Sequence, residues 1–549
     1  MNKFKGKFND RKPFFKNKGQ GFNKFKPKSS FKEFITADKA IIADVTIEKK
    51  DSRLELSGTI DRIVQTGGPT IFHLSDGTGS LALKGFEAPG ARAHPHILEG
   101  DAVSAVVTVQ EYNHELEGEI VSIKKLTGEE KEALIKAVEQ TLKSRAKIEP
   151  PEFLVKNKIL DKLKADFVKA ATEIRLAVFQ NRPIIVRHHN DADGYSSGFA
   201  LERAIIPLVS KQHGGGKSPW EFYTRSPVAA PMYEIDDSIR DTAMSLSDVA
   251  KFSNKMPLVI IADTGSGPED LLGIQQGRIH GIDFIVIDHH VFDKDFISKE
   301  TLVHINPFLV GEDGSMYSAG MLCAELARFI NPEANVDSIP AIAGLADRTN
   351  NPEVLDAYIK IAEKKGYTKS LLHDISALID FVSQKLRFLE AREYIEVVFG
   401  EPIAKQKQLI GLMAPYIRGL ETKGLSIAES NAQREKIGKS IVQLLFIDDV
   451  FSKFTYPKPG KSIGLLHDKL LETEKNVISV GIMSDLITMR ATESTGFSVH
   501  ELISYLNKKL PESFVEGGGH HLAGAIKFVP NKQKEVISHL KDYIKSKSK

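Results

Sequence analysis

The sequence predicts an α/β chain: a parallel-sheet region followed by a smaller α/β unit, preceded by a small β-barrel and a basic tail. Three observations carry this. PIIVRHH, PLVIIADTG and DFIVIDHH are short, continuously apolar runs separated by helical patterns, the signature of parallel strands covered on both faces. Between about Ser52 and Leu126 the pattern changes to alternation, in LELSGTIDRIV, TIFHLSDGTGSLALKGF, DAVSAVVTVQEY and EGEIVSIKKL, as expected of half-buried strands. At 549 residues the chain exceeds one hydrophobic core and calls for about three domains.

Taken in order, residues 1–35 form a low-complexity Lys/Phe/Gly/Asn tail. Residues 1–30 carry ten Lys or Arg against Asp10 alone, a charge of +9, so the net +2 of the chain leaves −7 for the remainder. The six Phe of residues 1–30 follow neither helical nor strand spacing, and disorder is expected. Cations interleaved with aromatics suit a nucleic-acid strand; a solubilising tail is the plainer reading.

Residues 36–128 follow as the barrel, with Asp76-Gly77-Thr78-Gly79 as a hairpin turn. About five such strands resemble an OB-fold, whose open face binds single strands. Phe72, Lys84, Phe86 and Arg92 are the residues on offer for that face, and packing alone is the competing use. Residues 129–180 read as a helical linker interrupted by Pro150-Pro151, 181–375 as the catalytic region, 376–440 as a helical connector and 441–549 as the second α/β unit.

Composition excludes several classes. One cysteine, Cys323 in MLCAELARF, rules out an intrachain disulfide framework or a cysteine-rich zinc site, and reads as a buried thiol. No run approaches the ~20 apolar residues of a membrane span, and no signal-peptide pattern is present, so a cytoplasmic protein without membrane contact is expected.

Four acidic or histidine clusters carry the chemistry. In HHNDADG, His189, Asp191 and Asp193 alternate in an extended turn, and Gly194 permits a close backbone approach. IIADTGSG places Asp263 after an apolar run. FIVIDHH supplies Asp288, His289 and His290, and AIAGLADR presents Asp347 from a helical segment. Open parallel sheets bind ligands at such strand ends. Singly, each cluster is an ordinary turn, cap or surface histidine pair; four in this order point to metal. Carboxylates mixed with imidazoles suit Mn²⁺, with Mg²⁺ as the alternative. A carboxylate shared by two cations ~4 Å apart lets them activate water and stabilise a leaving oxygen. In GGGHHLAGA, Gly517, Gly518 and Gly519 let backbone N–H groups approach a phosphate, with His520 as a donor and His521 beside it; a hinge or tight turn is the plainer use.

These motifs together resemble the DHH phosphoesterase superfamily with its DHHA1 domain, and more narrowly the RecJ-like single-strand exonucleases of archaeal type, over roughly residues 180–530. The resemblance implies a parallel-sheet DHH domain, a smaller DHHA1 domain and a substrate cleft between them. It implies that His189, Asp191, Asp263 and Asp347 hold one metal ion and Asp193, Asp263, His289 and Asp347 the other, with the division of Asp263 and Asp347 between them open. By the same resemblance Asp288 orients its neighbours, His290 faces the scissile phosphate, and Arg490 and the glycine-histidine segment bind substrate. The implied activity is two-metal hydrolysis of single-stranded DNA or RNA from the 5′ end, by in-line attack of water, in repair, replication or RNA turnover, with replication or repair proteins as partners. Two readings compete: a phosphodiesterase for short oligonucleotides or cyclic dinucleotides, and an inactive replication scaffold. The presence of every implied ligand argues against the scaffold, and the barrel disfavours the short substrates. A pyrophosphatase fits less well, since such enzymes lack the barrel and GGGH.

Overall fold

The barrel needs a glycine where its first two strands meet. In the computed structural model, strand β1 (Arg53–Gln65) pairs antiparallel with both β2 (Thr70–Ser75) and β4 (Ala102–Tyr112). At Gly58 a Cβ would lie 2.4 Å from the Ser75 carbonyl oxygen, so a side chain there would hold the neighbouring strand off. β3 (Ser80–Gly85) follows β2 through the expected turn, where the Asp76 carboxylate accepts from the N–H groups of Thr78 and Gly79 at 2.8 and 3.1 Å. β5 (Glu115–Lys125) runs parallel to β3 and antiparallel to β4, completing a five-stranded ring. Alternate side chains, including Leu54, Leu56, Phe72, Leu83 and Val107, fill it. The structure describes residues 37–112, 115–213, 216–228, 230–252, 255–386, 391–453 and 455–547; the tail expected at 1–35 lies outside them.

Helices α1 (Gly128–Ala146) and α2 (Lys158–Phe179) come next. The linker expected at 129–180 is corrected by the packing of α2. Leu160, Leu163, Phe167, Ala170 and Ile174, at helical spacing, are buried in the main core rather than left as a spacer.

That core surrounds five parallel strands in the order β10–β9–β8–β6–β7: β6 (Ile184–His188), β7 (Tyr223–Pro227), β8 (Leu258–Ala262), β9 (Asp283–Ile287) and β10 (Val303–Ile305). Every residue of β8 is buried. Leu258 and Ile260 face one core and Val259 and Ile261 the other, which is why no alternation shows in the sequence. β7 carries no such run; its buried Arg225 is paired with Glu202 at 2.8 Å. The helices of this region are α3 (Ala192–His213), α4 (Ile235–Phe252), α5 (Leu271–Ile279), α6 (Ala319–Ile330), α7 (Ile339–Ala346), α8 (Pro352–Glu363) and α9 (Lys369–Leu386). The chain leaves β6 to build β7 on one side, then returns to build β8 on the other. The C-terminal ends of β6 and β8 therefore flank the crevice where such sheets bind ligands.

Helix α10 (Ile403–Asn431) leads to a second, six-stranded sheet. Its strands are β11 (Gln433–Ile437), β12 (Ser440–Phe446), β13 (Val477–Ile482), β14 (Leu486–Ala491), β15 (Glu516–His520) and β16 (Ala523–Lys527), in the order β11–β12–β13–β14–β16–β15. Helices α11 (Pro459–Leu471), α12 (Val499–Lys509) and α13 (Gln533–Ser546) cover it. The edge strand β15 is the one that carries GGGH. Among the described residues no helix is long and apolar enough to cross a membrane.

Candidate metal centre and cleft

After β6 the chain turns so tightly that a Cβ on Gly194 would lie 2.1 Å from the His189 carbonyl oxygen. Glycine is required there. The extended turn expected through Asp193 is corrected: α3 already begins at Ala192, so Asp193 sits in its first turn. Its carboxylate accepts from Ala319 and Gly320 N–H, both at 2.9 Å, in the first turn of α6, where the helix dipole favours an anion.

Asp263 is the centre of the arrangement. It is 2% exposed and has φ 61°, in the left-handed region, immediately after β8. The backbone turn aims its two oxygens in different directions. Oδ2 lies 3.6 Å from His189 Nδ1, which is 2.8 Å from Asp191 Oδ2. Oδ1 lies 3.3 Å from His289 Nε2, which is 3.8 Å from Asp193 Oδ2. Two trios, His189/Asp191/Asp263 and Asp193/Asp263/His289, thus offer donor atoms within 4.8 Å of one another and share Asp263. Asp263 Oδ2 and His289 Nε2 are buried without hydrogen-bond partners.

Asp288 works as a brace. Its Oδ1 accepts from His289 N–H at 2.8 Å and lies 2.8 Å from His290 Nδ1, while Oδ2 accepts from Ser266 N–H at 3.2 Å. His290 stacks on His520, with ring centroids 4.8 Å apart, and His520 Nε2 is 3.5 Å from Asp347 Oδ1. The second sheet therefore closes directly over the first. Asp347 lies 3.8 Å from His289 Nδ1, at the side of the ring away from Asp193 and Asp263. It belongs to neither trio and stands beside them.

The electrostatics suit divalent cations. At Asp193, burial and then the carboxylates of Asp263 and Asp347 push the carboxyl well above the usual range. At His189, burial is outweighed by Asp191 and Asp263, which lift the imidazole to about 10. At Asp288, burial is outweighed by His290 and His289, which hold the carboxyl well below its ordinary value. Carboxylates crowded until one must be neutral form a site that divalent cations would satisfy. The oxygen and imidazole donors, with two of them orphaned, fit such ions.

The second sheet lines the facing wall. Arg490, on β14, is drawn down from the usual guanidinium value by burial and then by Arg348. Arg348, with φ 57°, forks onto Asp468 of α11 at 2.9 and 2.6 Å. Lys458, just before α11, is 3.4 Å from Asp380 and held above its ordinary value, against burial, by Asp380, Asp191 and Asp263. Sequence reading missed Arg348, Asp468 and Lys458; only Arg348, next to Asp347, left any signal.

The glycines divide by role. A Cβ on Gly517 would lie 2.2 Å from Ala525 O and one on Gly519 2.7 Å from Ala523 O, whereas Gly518 faces open space. Two of the three are needed by the β15–β16 hairpin itself. His521 turns away to Ser498 Oγ, at 3.2 Å, at the start of α12, while His500 Nε2 meets Gly519 O at 3.0 Å.

On the barrel, Phe72 is core rather than binding face. Lys84 is paired with Glu117 at 2.5 Å and lies 4.2 Å from the Tyr112 ring centroid. Arg92 donates to Ile97 O at 2.9 Å, and Phe86 is exposed.

No family model matches the chain. It is similar to an uncharacterised protein of Methanocaldococcus jannaschii, 33% identical over 538 residues that cover 92% of this chain and 70% of that protein. Among solved structures, the DHH domain of a member of a family of ribosomal proteins is 32% identical, with a TM-score of 0.72, over 76% of this chain and 99% of that one. RecJ in complex with Mn²⁺ from Thermus thermophilus is 17% identical, with a TM-score of 0.49, over 74% of this chain and 59% of that one, too remote a likeness to carry an argument.

Proposed function

The chain belongs to the DHH/DHHA1 phosphoesterase superfamily, and from that premise we propose that it is a two-metal phosphodiesterase acting on single-stranded DNA or RNA as a 5′-to-3′ exonuclease. The observation that carries the reading is Asp263, whose two oxygens serve separate trios across the crevice between β6 and β8.

In this reading His189, Asp191, Asp193, Asp263 and His289 would hold the ions, with Mn²⁺ favoured by the mixed donors and Mg²⁺ as the alternative. Bound there, the pair would supply a nucleophilic water and charge stabilisation for the departing oxygen. The chain's own groups do the rest. Asp288 fixes the His290 ring by its Nδ1, leaving Nε2 for a phosphate oxygen. His520 and Arg490 approach from the second sheet, where an anion between two walls replaces water. Asp347, beside His289 and His520, couples the two walls.

Support for a single-strand substrate comes from the OB-like barrel ahead of the cleft. The pairing of Lys84 with Glu117 favours one alternative, a substrate of a few nucleotides that never reaches the barrel. A time course on 5′- and 3′-end-labelled DNA and RNA of graded length, with Mn²⁺ or Mg²⁺, tests both. A one-nucleotide ladder growing from the 5′ end, faster on longer strands, is expected. Equal rates on dinucleotides and long strands would transfer the assignment to short oligonucleotides, and no hydrolysis with either ion would end it.

A further inference from the structure

The barrel meets the parallel-sheet region around a polar cavity of about 220 Å³. It lies near the start of β7 and just before β8, at the end of the sheet opposite the metal centre. Phe72 fills the barrel, so strand alternation turns His73 outward, and Arg62 of β1 stands opposite His73 in register. From the other side come His213, the last residue of α3, and the short helix Ser218–Phe222. The His213 ring stacks on Phe222, with centroids 3.8 Å apart. Two ion pairs cross the seam, Arg62 to Glu221 at 2.8 Å and Lys255 to Asp61 at 3.3 Å. Asp61 also accepts from Asn181 at 2.8 Å, so the carboxylates of the wall are matched. Donors are left over. Arg62 Nε and Ser218 Oγ are buried without partners, and neither imidazole has a hydrogen-bond partner among the described residues.

We propose that this cavity binds a phosphate group, held by Arg62, Ser218, His73 and His213. Its volume is many times what one water needs, and buried donors are costly until something accepts from them. A guanidinium, a hydroxyl and two imidazoles each offer a hydrogen to an oxyanion that only accepts. A cation fits less well, since no trio of acids and imidazoles at ligand spacing among the described residues includes His73 or His213. Glu221 engages one nitrogen of the Arg62 fork, and its side chain is 39% exposed. A phosphate taking both edges of the fork would turn that carboxylate out to solvent. A second cavity of about 430 Å³ shares Asp61 and Lys255 and is lined by Val138, Leu142 and Phe179, apolar room for the body that carries the phosphate. That body is a free mononucleotide or one nucleotide of a strand held by the barrel; only the strand rests on the proposed function.

The chain carries its own probe. Trp220, its single tryptophan, precedes Glu221, so its emission reports this cavity rather than the cleft. With divalent ions chelated, so that hydrolysis plays no part, the full chain is titrated with inorganic phosphate, a nucleoside monophosphate and a long single strand. A saturable change in emission is expected with phosphate below about 10 mM. Tighter binding of the monophosphate than of the strand identifies the mononucleotide as the source, and the reverse order identifies the strand. Arg62→Gln should raise the dissociation constant about tenfold or more. Glu221→Gln, which removes the competing carboxylate, should lower it, a gain that a folding defect cannot mimic. Their ion pair is partly exposed, so the melting midpoints should stay close to native. No saturable change with any of the three would overturn the proposal. So would a folded Arg62→Gln chain that binds unchanged, or a Glu221→Gln chain that binds no tighter.

Discussion

The parallel sheet and the barrel are both built from short strands, yet they handle charge in opposite ways. At the ends of β6, β8 and β9, acids and imidazoles converge with two donor atoms left unpaired, and the ionisation of Asp193 is strongly displaced by burial and then by its neighbours. On the barrel, two of the cations that could serve a strand are already occupied, Lys84 by Glu117 and Arg92 by a carbonyl. On the proposed function, a reactive site keeps its charges poised for a ligand, whereas a surface that only guides a strand can leave its own satisfied until something better displaces them. The contrast predicts steep mutational effects in the first region and shallow ones in the second.

The sharpest break of that contrast is Asp263→Asn, which keeps the shape but removes the shared charge. Hydrolysis should fall about a thousandfold or more, measured as initial rate in saturating Mn²⁺ with circular dichroism as the folding control. A loss under tenfold would mean that the two trios do not act together. Next comes the facing wall. His520→Ala or Arg490→Ala should each lower the rate about ten- to a hundredfold while Mn²⁺ affinity stays unchanged, read by titration of the free ion.

The glycines separate structure from chemistry. Gly517→Ala drives a Cβ into Ala525 O and should cost about 2 kcal/mol in denaturant unfolding, whereas Gly518→Ala should stay within about 0.5 kcal/mol. Acid should act where barrel and sheet meet. His73 is lowered to about 4 by burial and then Arg62, and His213 to about 4 by burial and then His73 and Arg62. Both stay neutral in the fold and would take up protons near 6.5 once unfolded. Stability is therefore full above pH 6.5 and declines as pH falls toward 4, by a few kcal/mol together; His73→Gln should flatten that slope. The smallest effect is expected from Lys84→Ala, less than about threefold in strand affinity. A tenfold loss would place the barrel among the working surfaces and weaken the contrast itself.

How much was readable follows the same line. The parallel strands were legible because burial on both faces leaves uninterrupted apolar runs, and the motif residues because topology puts strand ends beside one crevice. β7 was not, since its buried residues are Tyr223, Arg225 and Pro227, with Arg225 paired to Glu202, and they make no continuous apolar run. Phe72 was misplaced because alternation tells that two faces exist without telling which one is inside. The helix expected as a linker proved to be core because amphipathic spacing does not say what a helix packs against. Arg348 and Lys458 gain meaning only when the second sheet folds over the first, and α4 buries a polar face at helical spacing, which an apolar pattern cannot reveal.

One backbone angle has a consequence for the chain's history. At φ 61° the residue after β8 tolerates Asn or Gly without penalty, but neither carries a negative charge, while Glu carries the charge and fits that angle poorly. No single replacement preserves both conformation and charge, so on the proposed activity lineages that vary freely elsewhere should remain fixed at this codon. Where drift has carried it to Asn, the fold should persist as a relic without its trade.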